Sequence, residues 1–251
     1  MDKMKKTAEV GSLTAKGGFR NEEDVAKKFN SWKQDSYAQA WLFEMGYELK
    51  NLTQVKAKVL HGHKTDVQVH IAIYLKNSEV AENISVKLVS NPKGFNQVDK
   101  RWVDDYKFMW DIPEDVTDLL KRFTGETSSI QKGLRDSRRM FFSEMNPEEQ
   151  SKILHFFQTH RVQIVQDILK GRGAYSASWM LVVLKTNSQI KWALKPIRKA
   201  IEIFGRGDVK FTERGSLNIG KVTMQRKGGD AGRDTAKMLQ FKIDPVNLFE
   251  D

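Results

Sequence analysis

Two neighbouring segments with strand-type alternation, residues 67–75 and 83–90, constrain the fold of this 251-residue chain most strongly. In each segment apolar residues occupy every second position, and most of the residues between them are polar or small. A period of two is typical of strands in a sheet. We interpret the polar segment 76–82 as their connection, and a tight hairpin there pairs Ser85 with residues 73–75.

Segments with helical and with strand-like patterns follow one another along the rest of the chain. The helical patterns cover residues 21–32, 37–45, 95–110, 147–170 and 196–205. The further strand patterns cover residues 178–186, 189–195, 208–229 and 238–245. The chain thus begins with helices and a strand pair, and its last third is rich in strands. This order predicts an α+β fold with a mixed sheet.

Charge and cysteine content narrow the classes of function. Lys and Arg number 42 against 32 Asp and Glu, which gives a net charge of +10. The excess is spread over 121–140, 185–214 and 221–242, so we expect a folded surface that binds a polyanion; a merely solvated basic surface is the alternative. The absence of cysteine excludes a disulfide framework, a thiolate zinc site and a cysteine nucleophile.

Neither a secretory signal nor an apolar run long enough to span a bilayer is recognisable in the sequence. We therefore expect a cytoplasmic protein without a membrane partner.

Asp66, Ser85 and Lys87 form the strongest candidate for chemistry. Asp66 precedes the first strand pattern, whereas Ser85 and Lys87 lie two apart on the second and share one face of it. In metal-dependent phosphodiester hydrolysis a carboxylate holds Mg²⁺ and a lysine orients the attacking water. This is the D…(E/D)xK arrangement, with Ser85 where an acidic residue is usual. A strand end with an incidental lysine is the alternative.

Glu22, at the start of the first helical pattern, is a candidate for a further carboxylate in the site. The alternative for Glu22 is the general preference for acidic residues in the first turn of a helix.

Two other segments have the composition of a nucleic-acid contact. In residues 91–102 an aromatic ring, two amides and basic groups surround a turn, and amides can read base edges. A helix start with its aromatic ring in the core is the alternative. The Gly-rich segment 227–234, next to Arg226, can approach phosphates through main-chain N–H groups, or it can be a plain surface hairpin.

Six stretches between about Gly11 and Phe249 carry a resemblance to a known enzyme family. They are TAKGGFRNEEDVAKKF, KTD at 64–66, VKLVSNPKGFNQVDKRW, DSRRMFF, DILKGRG and RGSLNIGKVTMQRKGGDAGRDTAKMLQFKIDP. On these stretches the chain resembles the small monomeric type II restriction endonucleases that cut the tetranucleotide GCGC, within the D…(E/D)xK nuclease superfamily.

The resemblance implies a monomer with one active site that cuts double-stranded DNA with Mg²⁺, one strand after the other, leaving 5′ overhangs. A companion DNA methyltransferase is then expected in the cell. It also implies a restriction-endonuclease-like core with a central mixed sheet flanked by helices. We assign this nuclease core to residues 1–172 and a β-rich DNA-contacting part to residues 173–251, integrated as one compact unit.

Residue roles follow from the same resemblance. Asp66 is similar to the metal-binding aspartate, Lys87 to the catalytic lysine, and Val86 to a residue whose main-chain carbonyl binds the metal. Glu22 is similar to a helix glutamate that supports the site. The residues expected to contact DNA are Phe95, Asn96, Gln97, Lys100, Arg226 and Lys227.

Ser85 is the point at which the chain departs from the family pattern, where we expect a Gln. A shorter side chain predicts a weaker metal site, with the contact running through water. The alternative function is therefore a sequence-specific DNA-binding protein whose catalysis is weakened or lost. A basic RNA-binding module is a further alternative, although an RNP-type aromatic strand and a GXXG loop are both missing.

Overall fold

The computed structural model of the chain describes residues 22–60, 68–91, 94–128, 135–186, 189–228 and 233–250. The helices are α1 Glu22–Asn30, α2 Ser36–Glu44, α3 Val103–Trp110, α4 Glu114–Thr124, α5 Pro147–Thr159, α6 Arg161–Lys170 and α7 Ile197–Gly205. The strands are β1 Leu52–Leu60, β2 Gln68–Leu75, β3 Glu79–Val89, β4 Asn96–Arg101, β5 Trp179–Lys185, β6 Ile190–Pro196, β7 Val209–Phe211, β8 Leu217–Ile219, β9 Val222–Arg226 and β10 Leu239–Ile243.

The strands form two five-stranded sheets, and each sheet belongs to one of two units of the chain. The first unit combines the described residues of 22–94 with Leu169–Ile203 and 244–250. The second unit combines Phe95–Ile168 with Phe204–Ile243. Each unit is therefore assembled from segments that are distant in sequence.

The sheet of the first unit, which we call the first sheet, has the strand order β1-β2-β3-β5-β6. Its neighbours pair antiparallel except β3 and β5, which run parallel. This mixed sheet, with helices in the same unit, confirms the predicted α+β class.

Helices α1 and α2 cover one face of the first sheet. Helix α1 begins with three acidic residues that favour the positive end of its dipole. Asp35 caps α2 by accepting hydrogen bonds from the main-chain N–H groups of Tyr37 and Ala38, both at 3.0 Å. Phe29 of α1 packs against Trp41 of α2, and the two rings join the apolar side chains of β2 and β3 in one core.

The sheet of the second unit, the second sheet, has the order β4-β10-β9-β8-β7, and all its neighbouring strands are antiparallel. Phe241 of β10 is fully buried and meets Tyr106 and Trp110 of α3 edge-on, at ring-centre distances of 5.1 and 5.6 Å. The indole N–H of Trp110 donates to the buried carboxylate of Asp167 at 3.0 Å. This cluster attaches α3 and α6 to the apolar face of the second sheet.

The prediction of one helix over 95–110 is wrong for its first half. Residues Asn96–Arg101 form strand β4, which pairs with β10, and α3 begins at Val103. The helical spacing of Val98, Trp102 and Tyr106 is accidental, because pairing with a strand more than a hundred residues away decides the local conformation.

Two other elements differ from their sequence predictions. The helical region that follows Asn146 is divided at His160 into α5 and α6, although its predicted cap is confirmed: Asn146 and Glu149 form a reciprocal capping box. The supposed connection 76–82 is also shorter, because β3 begins at Glu79. Strand β1 and helix α4 have no counterpart in the sequence prediction.

The predicted division at residue 173 concerns which part of the chain contacts DNA, and it stays a prediction. The strands that follow residue 173 belong to both sheets, β5 and β6 to the first and β7 to β10 to the second. Among the described residues, no helix is long and apolar enough to cross a membrane.

Candidate functional site

A polar strip on β3, the third of five strands in the first sheet, contains the candidate catalytic residues. Asn83, Ser85 and Lys87 alternate along β3 and therefore share one face; they are only 9%, 5% and 5% exposed. Ile84 and Val86 point to the opposite face and join the core under α1 and α2. A lysine this deeply buried in a strand is uncommon, and its burial marks the strip as a candidate for function.

The register of β2 against β3 differs from the predicted hairpin. Gln68 pairs with Ser85, so the predicted pairing of Ser85 with residues 73–75 is wrong. The turn between β2 and β3 is short and lies between Leu75 and Ser78, where the N–H of Leu75 donates to the carbonyl of Ser78 at 2.8 Å. The observed register places the beginning of β2, rather than its end, beside the strip. Asp66 itself lies outside the described residues and stands two positions before Gln68 in sequence.

Sequence reasoning missed one member of the strip, Asn83, and its partner His70 on β2. His70 pairs with Asn83 across β2 and β3, and its Nδ1 lies 2.8 Å from Asn83 Oδ1. The amide group of Asn83 donates to the carbonyl of Ser176 at 3.2 Å, so Oδ1 is its acceptor and His70 Nδ1 carries the hydrogen. The polar alternation of Asn83, Ser85 and Lys87 along a strand was the signal that could have identified Asn83.

The same asparagine connects β3 to the start of β5. Its main-chain N–H donates to the hydroxyl of Ser178 at 3.0 Å, and the Ser178 N–H donates to the Asn83 carbonyl at 2.8 Å. Asn83 thus holds residues 176–178 against the polar strip. This fixes the entry of β5, whose Met180 and Val182 pair with Ser85 and Lys87.

The oxygen atoms near Lys87 meet only part of the needs of a divalent metal. The side chain of Val86 is in the core and 2% exposed, so this residue can offer only its main-chain carbonyl. Glu82 lies on the opposite face of β3 and accepts from the Tyr47 hydroxyl at 2.9 Å and the Trp179 indole at 3.1 Å. A hydroxyl and a carbonyl suit a hard cation, but an anionic ligand is also needed.

Within the described residues, no group of three or more His, Asp or Glu side chains could hold a metal ion. Asp66, to which sequence reasoning assigns the metal-binding carboxylate, lies outside the described residues.

Glu22 is the first residue of α1 and is half-buried. Helix α1 packs through Val25 and Phe29 on the face of the sheet that carries Ile84, opposite to Lys87. The packed face of α1 therefore lies on the side of the sheet opposite to the polar strip. The supporting role of Glu22 stays a prediction.

Two of the residues predicted to contact DNA on β4, Gln97 and Lys100, share a face because of a β-bulge. The register against β10 shifts between Asp99 and Gln97, which leaves Val98 as the extra residue. Val98 and Asp99 are both buried, at 3% and 2% exposure, so Gln97 and Lys100 point together to the other face although they are three residues apart.

Cross-strand pairs extend this polar face of the second sheet. Gln97 pairs with Lys242, which pairs with Thr223; Lys100 pairs with Gln240, which pairs with Gln225. Amides and ammonium groups thus lie in two adjacent rows across β4, β10 and β9. Gln240, in the middle of its row, is only 2% exposed and directs its amide N–H groups to the carbonyls of Arg226 and Lys227, so the accessible groups are those on either side of it. Amide and ammonium groups can both hydrogen-bond to base edges or phosphates.

Phe95 and Asn96 stand at the start of β4. The side chain of Phe95 is 57% exposed, so the alternative that it belongs to the core is wrong. Asn96 pairs with Ile243 and therefore points to the face opposite Gln97. Only part of the predicted DNA-contacting set is thus brought onto one face of the sheet.

Arg226 and Lys227 end β9 and begin its connection to β10. The N–H of Lys227 donates to the Met238 carbonyl and that of Gly228 to the Ala236 carbonyl, both at 2.9 Å, so the connection begins as an extension of the strand pair. Burial lowers the pKa of the Arg226 guanidinium, and the positive charge of Arg138 lowers it further. The guanidinium of Arg226 therefore lies in a positive field.

Comparisons with known proteins are consistent with this architecture. No curated protein sequence matches the chain. The crystal structure of the restriction endonuclease MspI in complex with its cognate DNA matches with a TM-score of 0.57 and 13% sequence identity, covering 88% of this chain and 82% of that chain. At this identity the likeness establishes the fold, which is that of a restriction endonuclease.

The family comparison covers most of the chain. The model of the family described as R.HinP1I restriction endonuclease matches residues 45–249, a range that includes the polar strip of β3 and both sheets. The chain belongs to the R.HinP1I restriction endonuclease family.

Proposed function

We propose that this type II site-specific deoxyribonuclease hydrolyses double-stranded DNA at GCGC in the presence of Mg²⁺, leaves 5′ overhangs and acts as a monomer in the cytoplasm beside a companion methyltransferase. Family membership supplies the class of reaction. The observation that carries the proposal is the buried Lys87 next to Ser85 on a strand whose neighbour begins two residues after Asp66.

In the proposed site, Asp66, the Val86 carbonyl and the Ser85 hydroxyl would hold the metal. Mg²⁺, when bound, supplies charge neutralisation at the phosphate oxygens and makes water more acidic. Lys87 orients the attacking water and donates hydrogen bonds to the phosphate oxygens as negative charge develops on them. Because Lys87 is 5% exposed on a hydrogen-bonded strand, its ammonium group reaches this position without a large loss of side-chain freedom.

The second sheet supports the proposed contact with DNA. Gln97 and Lys100 share its polar face, and Gln225 and Lys242 continue that face on β9 and β10. We assign base reading to Gln97 and Lys100. The exposed Phe95 ring is placed to stack on or wedge between bases. Asn96, Arg226 and Lys227 are assigned to the DNA backbone, and Glu22 to support of the metal site.

The decisive experiment is digestion of unmethylated plasmid DNA with the purified protein and Mg²⁺, followed by sequencing of the DNA ends. We expect cuts within GCGC with 5′ overhangs, and resistance of the same plasmid after methylation of its GCGC sites. Cuts at another sequence would replace the specificity assigned here. Binding of plasmid without any cut, at several Mg²⁺ and Mn²⁺ concentrations, would contradict the catalytic proposal.

Ser85 favours a second candidate function, a sequence-specific DNA-binding protein with weakened or lost catalysis. The position offers a neutral hydroxyl where a carboxylate would add charge to the metal site. Cleavage by the wild type decides between the two functions, and the variants Ser85→Gln and Ser85→Glu test whether Ser85 is the cause. If Ser85 weakens the metal site, these variants cut at lower Mg²⁺ concentration than the wild type. If neither the wild type nor the variants cut and all of them bind DNA, the loss of catalysis has another cause.

A further inference from the structure

Two arginines of the second unit, Arg138 and Arg139, approach one carboxylate, and Arg135 and Arg226 lie near enough to Arg139 to act on its charge. We call Arg135, Arg138, Arg139 and Arg226 the arginine cluster. The carboxylate is that of Asp136: Arg138 donates to both of its oxygens, through Nε at 2.9 Å and a terminal NH₂ at 3.0 Å, and Arg139 Nε lies 3.9 Å away. Three members of the cluster come from the segment 135–139 and the fourth from the end of β9.

The main chain of this segment is held firmly against α4. The N–H of Met140 donates to the Arg122 carbonyl at 3.0 Å, at the end of that helix. Gly125, in a left-handed conformation with φ +82, follows α4, and a Cβ there would lie 2.2 Å from the Arg138 carbonyl oxygen. So close an approach of two main chains is open only to glycine, and it fixes where the arginines begin.

Aromatic stacking fixes two of the four guanidinium groups, those of Arg135 and Arg139. The Arg135 guanidinium carbon lies 3.5 Å from the centre of the Phe141 ring, and that of Arg139 lies 3.9 Å from the same centre. Phe141 is 8% exposed, and Gly215 packs so tightly against it that a Cβ would come within 2.6 Å of the ring. The cluster is therefore pre-organised, which lowers the entropy lost when a ligand binds.

The cluster carries more positive than negative charge. Asp136 is its paired carboxylate, and hydrogen bonds from Arg138 hold the pKa of Asp136 at about 2. The nearby Glu144 directs both carboxylate oxygens to main-chain N–H groups, those of Arg135 and Phe141. Four guanidinium groups thus face two carboxylates. Burial and then the charge of Arg226 lower the pKa of Arg139 to about 10, as expected where cations are crowded together.

The cluster also retains unused donors. Within the part of the chain that the structure describes, Arg226 Nε is buried and makes no hydrogen bond. The side chain of Arg138, in contrast, is 74% exposed while it holds Asp136. A buried donor without an acceptor is costly, and a surplus of guanidinium groups around it is typical of an anion site.

We propose that the arginine cluster binds phosphates of the DNA backbone and that Asp136 occupies Arg138 until DNA replaces it. This inference rests on the proposed function in so far as the ligand is duplex DNA. The contacts are independent of base sequence, because guanidinium forks pair with phosphate oxygens, which every nucleotide offers. The cluster would thus supply affinity, while the polar face of the second sheet supplies discrimination.

The first test compares two arginine variants on a fluorescently labelled duplex of 20 base pairs without GCGC. Arg138→Gln removes a cluster member, and Arg198→Gln removes the same charge from the exposed surface of α7. We expect Arg138→Gln to weaken binding about tenfold. It should also reduce the salt slope by about 0.9, the effect of one lost phosphate contact. Arg198→Gln should change both quantities much less. Equal effects of the two variants would overturn the proposal.

The second test uses Asp136→Asn. The new side chain keeps an oxygen that can accept the hydrogen bond from the main-chain N–H of Arg138, which is 3.0 Å long in the wild type. If Asp136 competes with DNA phosphate for Arg138, this variant binds the duplex roughly two- to fivefold more tightly than the wild type. If the pair only maintains the fold, Asp136→Asn and Arg138→Gln both weaken binding, and the proposal fails. Thermal unfolding of each variant shows whether the protein is still folded. If Arg138→Gln or Asp136→Asn does not fold, Arg226→Gln tests the cluster through another of its members.

The same measurements separate this inference from the proposed function. Cleavage at GCGC by wild-type protein with unchanged binding by Arg138→Gln would overturn the phosphate site alone. Tight binding of the duplex that depends on the cluster, without any cleavage, would leave the phosphate site intact and contradict the catalytic proposal. Inorganic phosphate and unlabelled duplex are compared as competitors at the same phosphate concentration. Equal competition by the two would contradict duplex DNA as the ligand of the cluster.

Discussion

The two sheets of this restriction endonuclease differ in the surroundings of the cations that we assign to DNA cleavage and to DNA binding. In the first sheet one ammonium group, that of Lys87, is buried on a strand between apolar neighbours on β5. In the second sheet Lys100, Lys242 and several amides are spread over one half-exposed face. A single buried cation suits a transition state at one position, whereas a distributed set suits a long polyanion.

The difference follows from how each sheet is built. The first sheet contains a parallel pair, β3 and β5, whose residues are buried on both faces, as parallel strands usually are. The second sheet is antiparallel throughout, and its face that carries Gln97 and Lys100 is polar. We therefore expect changes in the first sheet to affect cleavage or stability and changes in the second to affect binding.

Lys87→Ala should give the largest effect on cleavage and should separate cleavage from DNA binding most clearly. Loss of the ammonium group should slow cleavage by about 10²- to 10³-fold or more, because one preorganised donor to the developing charge is removed. Duplex binding should stay within a few fold of the wild type. Single-turnover cleavage and fluorescence anisotropy measure the two quantities. Lys191→Ala, at an exposed lysine of β6, is the matched control, and a comparable loss there would break the comparison.

Asn83→Ala should mainly reduce stability. It removes the contacts of the Asn83 side chain with His70 and with the Ser176 carbonyl, leaving buried polar groups without partners. We expect a loss of about 2–3 kcal/mol in the free energy of unfolding, measured by urea denaturation. Thr53→Ala removes one exposed hydrogen bond to the Tyr74 carbonyl and should cost about 0.5 kcal/mol or less. Similar losses in both variants would show that the Asn83 network has no special weight.

Gln97→Ala should reduce discrimination between DNA sequences. The loss of one pair of base contacts should lower the ratio of cognate to non-cognate affinity by about tenfold, which is about 1.4 kcal/mol. Cleavage of saturated cognate DNA should change less. Thr223→Ala, in the same row but on β9, tests how far the reading surface extends. An unchanged ratio for Gln97→Ala would remove β4 from base reading.

The pH dependence of stability should show the smallest effect. The pKa of Asp136 is lowered from 3.8 to about 2, first by its hydrogen bond with Arg138. The folded state therefore gains from the charged carboxylate above pH 3.8 and loses this gain as the pH falls toward 2. Asp136→Asn should make unfolding less sensitive to pH in this window. Parallel curves for variant and wild type, measured by thermal unfolding from pH 5 to pH 2, would contradict the assignment.

Much of the fold could be predicted because the signals are local. The alternation in 83–90 correctly places Ser85 and Lys87 on one face, and Asn146 with Pro147 correctly marks the start of α5. The hairpin register could not be predicted in the same way. Polar residues at 76–82 suggested a long loop, whereas Glu79–Glu82 pair with β2 and extend β3.

The candidate site shows the same limit. The shared face of Gln97 and Lys100 depends on a bulge opposite β10, and no local spacing of these residues reveals it. The arginine cluster was visible only as a basic stretch, because its fourth member comes from β9, far along the chain. Asp66 stays a prediction from sequence, since it lies outside the described residues.

The sequence by itself determined the alternating strands, the capped helices and the pairing of a hydroxyl with a lysine on β3. These features depend on where each Cβ points relative to its neighbours, which the chain specifies over a few residues. The tertiary structure alone decided the partner of each strand, the bulge in β4 and the approach of Arg226 to the arginines of residues 135–139. Those features depend on contacts between distant segments, whose free energies are balanced only when the whole unit packs.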